Sequence, residues 1–284
     1  MSKASWARDS AQKYCSREIH ILALSEVCQN GEPPVFEGWI LVSHYRGSQN
    51  PGVAFYRRTT LPPGIQVLPG PPPPRFYLEE CDSCTVEIHF TDGDLHEVRG
   101  LWLSYRNPDP AANNKQSYCQ AFNRLVRSLS QIGFPPKYHT FFGDFNLKST
   151  NTSSNPEGKH DALWTRTLRD FSRGGKGLSR VEVLNPGGKL NWTNASTNSP
   201  TRTIVDYCIS SAPLDVFCMV CSLPAAQQPG THRGLYTEIL GRAGGPPPPR
   251  GHVSRPTSST PTTPATTRLY SIPSKSFTPL WRRN

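Results

Sequence analysis

The sequence predicts an α+β fold, a two-sheet β-sandwich with flanking helices in four layers, α/β/β/α. Three observations carry this. Strand-like apolar segments outnumber helical ones across the first 241 residues, a hairpin signal stands at Asp92-Gly93, and hairpins mix with strand–helix units. Such a chain buries one face of each sheet against the other and sets its helices outside. With 284 residues and 35% hydrophobic content it can fill one large core or two modest ones.

Taken in order, residues 3–16 read as a helix. IHILALSEV (19–27) is a continuous apolar run with a polar end, the mark of a buried strand. GWILVSHY and PGVAFYRR follow as strands, the second introduced by Pro51-Gly52. Pro62-Pro63 and the PGPPPP stretch (69–74) form a rigid loop. CTVEIHFTDGDLHEVRGLWLSY is two strands around Asp92-Gly93. Residues 111–131 make an amphipathic helix with Tyr118, Phe122, Leu125, Val126 and Leu129 on one face. KYHTFFGDFN is a strand entering a turn, and residues 159–171 a further helix. TRTIVDYCIS, PLDVFCMVCSL and GLYTEIL close the set as strands.

The formal net charge is +10, but from Arg242 onward there are seven Lys/Arg and no Asp or Glu, so the first 241 residues carry only +3. A basic chain suggests a polyanionic partner; most of this excess sits in the tail. That tail (242–284), with nine prolines and thirteen Ser/Thr, reads as a disordered basic segment with too little apolar surface to offset its ordering entropy. No apolar run approaches the ~20 residues of a membrane span, and the polar N-terminus lacks a secretory h-region; an intracellular, nuclear protein with no membrane partner is expected. Eight cysteines include two CxxC pairs, Cys81/Cys84 and Cys218/Cys221. They read either as halves of a zinc site or as free buried thiols; their wide separation and the apolar run VFCMVCSL favour the thiols.

Four motifs carry candidate chemistry. In FFGDFN (141–146) an apolar strand ends in Gly, then Asp144 and Asn146 two positions apart. Near-extended backbone sends i and i+2 to one side, so a carboxylate and an amide can converge on a water or phosphate; alone, the motif is equally an Asx turn. Glu26 in LALSEV (22–27) is a carboxylate at the end of a buried strand, suited to Mg²⁺, or else a solvated acid. Asp206 lies in TIVDYCIS (203–210), where period 2 puts Ile204, Asp206 and Cys208 on one face. A carboxylate there needs a partner, either Arg202 in an ion pair or a histidine that it orients. His232, in PGTHRGLYTEI (229–239), precedes the last strand; a lone His is more often structural, but one hairpin separates it from Asp206.

As a set, these motifs resemble the endonuclease/exonuclease/phosphatase superfamily over about residues 1–241, and most nearly the apurinic-type endonuclease domains of non-LTR retrotransposons. Glu26 in LSE matches a strand ending like LQE, and GVAFYRR looks like the third strand. Tyr105 in LSYRNP resembles the family's "vYrPP", GDFN its GDxN, and DYCIS its RxDY strand. Trp192 in LNWTN resembles a Trp that often precedes that strand, and GTHRGL the closing SDH. The resemblance implies a metal-dependent phosphodiesterase acting on DNA. Glu26 would bind Mg²⁺, with Mn²⁺ able to substitute. Asp144 would orient or deprotonate the attacking water, Asn146 hold water or phosphate, and Tyr105 contact the phosphate. His232, oriented by Asp206, would donate to a phosphate oxygen. Arg106, Lys148 and Arg202 flank the motifs, as DNA-backbone contacts or, more simply, solvated surface charges. Two features depart from the family. Its first strand, ending like WNV, does not precede the helix here, which implies a truncated sandwich or a substitute segment. Thr231 stands where SDH has Asp. The alternatives are a catalytically inactive nucleic-acid- or protein-binding domain of this fold, and a phosphatase or phosphodiesterase for a small phosphorylated or lipid substrate.

A threonine hydroxyl offers no anionic oxygen to a hard cation. Thr231→Asp is therefore expected to strengthen Mg²⁺ dependence and raise plasmid-nicking turnover above that of the unaltered chain. Equal turnover in a side-by-side assay would show that this carboxylate is not needed.

Overall fold

The computed structural model describes residues 19–27, 32–47, 51–108, 114–131, 138–148, 161–173, 181–185, 193–195, 202–220, 232, 234–241 and 266–273. Their strands form the α+β two-sheet sandwich expected. The first sheet contains β1 (Ile21–Ser25), β2 (Trp39–Tyr45), β3 (Val53–Arg58), β12 (Val216–Val220), β13 (Leu235–Leu240) and β14 (Thr266–Pro273), in the order β12-β13-β14-β1-β3-β2. The second contains β4 (Ile65–Pro69), β5 (Asp82–Asp92), β6 (Leu95–Tyr105), β7 (Tyr138–Asp144), β8 (Glu182–Val183) and β11 (Asp206–Ser210), in the order β4-β5-β6-β7-β11-β8. A short ribbon pairs β9 (Asn194–Ala195) with β10 (Arg202–Thr203).

The core between the sheets follows the period of 2. On the second sheet Cys84, Leu103, Phe142 and Cys208 stand directly across from one another on neighbouring strands, and all four face Ala23, Phe55 and Leu235 of the first sheet. The alternate residues Trp102, Phe141, Tyr207 and Ile209 face outward beneath the helices. There α1 (Arg75–Leu78), α2 (Lys115–Gln131) and α3 (Ala162–Ser172) lie. α2 turns in Tyr118, Phe122, Leu125 and Val126, as its 3.6-residue period requires, and α3 turns in Trp164, Leu168 and Phe171. The outer face of the first sheet is also apolar and buried, through Leu22, Leu24, Ala54 and Tyr56. The helix expected over residues 3–16 lies outside the described residues. No described helix is long and apolar enough to cross a membrane.

Three expectations change. The Pro-rich stretch after residue 61 holds a strand: Ile65 and Val67 of β4 alternate inward although prolines flank them. β4 is an edge strand, where a terminal proline leaves no ladder bond unmade. TRTIVDYCIS does not run as one strand; β10 and β11 are separated at Ile204-Val205, so Ile204 faces the helices while Asp206 and Cys208 face the other sheet.

The third change concerns the tail expected to be disordered from residue 242. Thr266–Pro273 is a strand in the interior of the first sheet, parallel to β1 and antiparallel to β13, and Leu269 is fully buried. The sandwich thus draws a strand from beyond the boundary placed at residue 241. TTRLYSIP contains the Thr, Leu, Tyr and Ile that suit a pleated surface, but the Pro/Ser/Thr-rich composition around it masks an eight-residue signal. The remainder of 242–284 lies outside the described residues.

Because β14 is hydrogen-bonded on both edges, deleting residues 245–284 opens the sheet between β1 and β13. At ~2–4 °C per kcal/mol for a domain of this size, the melting temperature should fall by more than ~10 °C. Thermal melts followed by circular dichroism check this; an unchanged midpoint would mean that the sheet closes without β14.

Candidate active site

The rim of the sandwich is where the inter-sheet face of the second sheet changes from apolar to acidic. One step beyond the Leu103–Phe142–Cys208 rank, the same face carries Tyr105, Asp144 and Asp206, again directly paired: Tyr105 with Asp144 and Asp144 with Asp206. All three are buried, with 1–2% exposure. Gly143 makes this rank possible. Its φ is +139°, and a Cβ there would collide with the Ser104 carbonyl of β6.

The turn after Asp144 is held from three sides. The Asn146 amide N–H donates to Asp144 Oδ1 (3.0 Å) and Asn146 Nδ2 donates to the Arg106 carbonyl (2.6 Å). Arg106 N–H in turn donates to the Asp144 carbonyl, and Phe145 N–H to that of Val205. Phe145 stacks on Trp164 of α3 with ring centroids 5.4 Å apart, which ties the turn to the helix layer. Asn146 has φ 48°, a conformation Asn tolerates better than most residues. GDFN is thus an Asx turn, in which Asn146 is not extended and its Nδ2 serves the Arg106 carbonyl.

β11 is positioned by side chains. Thr193 Oγ1 accepts from the N–H groups of Val205 and Asp206. Asn185 donates through Nδ2 to the Asp206 carbonyl and accepts from Cys208 N–H at Oδ1. Sequence reasoning passed over Thr193 and Asn185, because a lone polar residue in an irregular segment carries no periodic signal. His232 forms a β-bridge with Asn194, and its Nδ1 lies 3.0 Å from Asp206 Oδ2. Its other nitrogen, Nε2, is 4.0 Å from Asp144 Oδ2. Asp206 therefore takes the histidine as its partner. Glu26 follows β1 at φ 60°, is 1% exposed, and is succeeded by Val27, whose N–H donates to the Gly52 carbonyl (3.3 Å).

The structure therefore brings Glu26, Tyr105, Asp144, Asn146, Asp206 and His232 to one rim. It does not bring Arg106 there as a surface charge. Arg106 is buried, with its guanidinium over the Tyr118 ring on the helix side. Lys148 donates its backbone N–H to Asp161, and Arg202 lies in β10, its side chain outside the described residues. Trp192 and Thr231 also lie outside them. Cys81, Cys84 and Cys218 are buried and form no disulfide; Cys221 is outside the described residues.

Burial works against a charged His232, but Asp206 and then Asp144 outweigh it and raise its pKa to about 9. Burial, then Asp206, pushes Asp144 up to about 8, with Glu26 adding to the rise and His232 opposing it. Burial and the Glu26 carboxylate hold the Tyr105 phenol protonated. Oxygen atoms of Asp144 and Asp206 and a ring nitrogen of His232 lie within 4.8 Å of one another, and Asp206 Oδ1 is buried without a hydrogen-bond partner. This excess of buried acid over cationic groups fits a divalent cation. The Asp144 and Asp206 carboxylates offer the oxygen donors that a hard divalent cation takes.

No protein-family model matches the chain, and no curated protein matches its sequence. Among solved structures it is similar to the human Nocturnin catalytic domain, with 11% identity over 79% of this chain and 80% of that one and a TM-score of 0.47. It is also similar to an endonuclease/exonuclease/phosphatase family protein from Bacteroides thetaiotaomicron, with 12% identity over 78% and 79% and a TM-score of 0.45. A third is ANGEL2, a 2',3'-cyclic phosphatase, with 12% identity over 79% and 78% and a TM-score of 0.49.

Since oxygen ligation requires carboxylates without protons, the raised values of Asp144 and His232 set a sign. Raising pH from 6 to 9 removes protons that compete with or repel the cation, so Mn²⁺ affinity should increase across that window, with proton release on binding. Calorimetry in two buffers of different ionisation enthalpy reads both. Affinity independent of pH would contradict the shifts.

Proposed function

We propose that this chain is a divalent-metal-dependent phosphodiesterase of the endonuclease/exonuclease/phosphatase type, with DNA as substrate in the manner of retrotransposon endonucleases. One observation carries the reading. Five separate chain segments deliver Glu26, Tyr105, the Asp144–Asn146 turn, Asp206 and His232 to one buried rim, with His232 set between two carboxylates. Random placement of six such residues does not produce this convergence.

In this reading Glu26 and Asp144 would hold a cation, Mg²⁺ or Mn²⁺ in its place, and the chemistry it would supply is neutralisation of charge developing on the phosphate. Asp206 fixes His232 through Nδ1, so that Nε2–H is the donor left for a phosphate oxygen. In its ionised form Asp144 would orient the attacking water and accept its proton. Tyr105 stays protonated and offers a hydroxyl to the phosphate. Asn146 holds the turn that aims Asp144.

A second reading, a sandwich of this type that binds without cleaving, is favoured by β14. In its register with β1 the position paired with Ser25 is Pro273, a residue type without a carboxylate or side-chain amide. Mn²⁺-dependent plasmid nicking decides between the two, with a small chromogenic phosphodiester as control. Nicking that falls by ~10²–10³ in Asp144→Asn and in His232→Ala supports the nuclease. DNA binding without cleavage supports the second reading, and hydrolysis of the small ester alone points to a small-molecule phosphodiesterase.

A further inference from the structure

The acidic rank does not end at Tyr105. Directly across from it on β5 stands Asp82, so Asp82, Tyr105, Asp144 and Asp206 occupy four adjacent strands in one line, their side chains on the same face. Asp82 is fully buried. Its carboxylate gathers two backbone amides of the β2–β3 connection: Gly47 N–H donates to Oδ1 (2.8 Å) and Gly52 N–H to Oδ2 (2.9 Å). Charge-assisted bonds of this kind are short and about twice as strong as neutral ones.

Gly52 links this clamp to the rim. Its φ is +80°, and its carbonyl accepts the N–H of Val27. Val27 follows Glu26, whose φ of 60° is unfavourable for a non-glycine residue. Glu26 is therefore held in a left-handed conformation from both sides. Ser25 is locked in the ladder against Val53, and Val27 is tied to Gly52. Remove the anchor on Gly52 and only the ladder side remains, so Glu26 can relax and swing its carboxylate away.

From this we infer that Asp82 is a positioning residue of the rim, which orients the Glu26 carboxylate toward the cation through Gly52 and Val27. This rests on the metal-binding reading above. Residues that orient metal ligands typically alter metal affinity ~10–100-fold when removed, and Asp82→Asn is expected to fall in that range. The asparagine keeps the volume, but its Nδ2 faces an amide donor instead of accepting from it.

The experiment uses the full chain and has two readouts. Hydrogen exchange without metal should show faster exchange at the Gly52 and Val27 amides in Asp82→Asn, with β5, β6 and β7 still protected. Mn²⁺ titration by electron paramagnetic resonance should show affinity lowered ~10–100-fold relative to the unaltered chain, with Glu26→Gln as reference. If the unaltered chain binds no Mn²⁺, the metal reading and this inference both fall. If it binds and Glu26→Gln loses binding while Asp82→Asn does not, the inference alone is overturned, as it is by unchanged exchange at Gly52 and Val27. Should Asp82→Asn lose protection throughout, a backbone ester at Val27 (valine replaced by its α-hydroxy acid) decides. It removes the N–H that bonds the Gly52 carbonyl and leaves every side chain in place; lowered Mn²⁺ affinity supports the route through Gly52 and Val27, and unchanged affinity overturns it.

Discussion

The parallel pairing of β6 with β7 is the contact on which the rim depends. It sets Tyr105 beside Asp144 and leaves the Ser104 carbonyl against the α-carbon of Gly143. Any side chain at 143 would push the strands apart and move Asp144 away from Tyr105. Asp206 reaches the same rank from the other edge of β7, and the Asp144 carbonyl and side chain both bond into the turn that follows. Through this pairing a one-residue change of register would turn the acids toward the helices and the aromatic residues toward the other sheet.

Burial gives the rim its electrostatic character. Four carboxylates, those of Glu26, Asp82, Asp144 and Asp206, are each 0–2% exposed. Isolated, such groups would neutralise rather than ionise. The protein answers three of them in different ways. Asp82 accepts two amides, Asp206 has a histidine, and Asp144 has an amide and the more distant Nε2 of that histidine. Burial first and then the neighbouring Asp206 carboxylate raise Asp144, while Asp206 and Asp144 raise His232 against its burial; a divalent cation would offset the repulsion among these acids. The same low-dielectric surroundings would strengthen the hydrogen bonds that, in the proposed function, His232 and Tyr105 would offer to a phosphate.

Much of this was legible in the residues. The sheets and their hairpin follow from alternation and from Asp92-Gly93, and α2 from a five-residue apolar stripe. Glu26, Tyr105, Asp144, Asn146, Asp206 and His232 were each visible as polar residues at the end of, or inside, apolar runs. Asp82, Thr193 and Asn185 were not. Each acts on backbone amides or carbonyls, and a residue that serves the backbone of a distant strand has no local pattern to mark it. β4 and β14 were hidden for a related reason: five to eight β-forming residues among prolines look, by composition, like loop or tail.

What the sequence determined by itself was the inventory, because the periods of 2 and 3.6 are written in neighbouring residues: which segments are strands, which are helices, and which polar residues interrupt apolar runs. The tertiary structure alone decided the adjacency. β14, joined to β13 across residues 241–265, came to lie beside β1, and Arg106 was turned into the helix layer away from the rim. It also drew Asp82 into line with Asp206, more than a hundred residues later. Pairing between distant strands depends on the packing of whole faces, a sum over many weak contacts that no short window of residues contains.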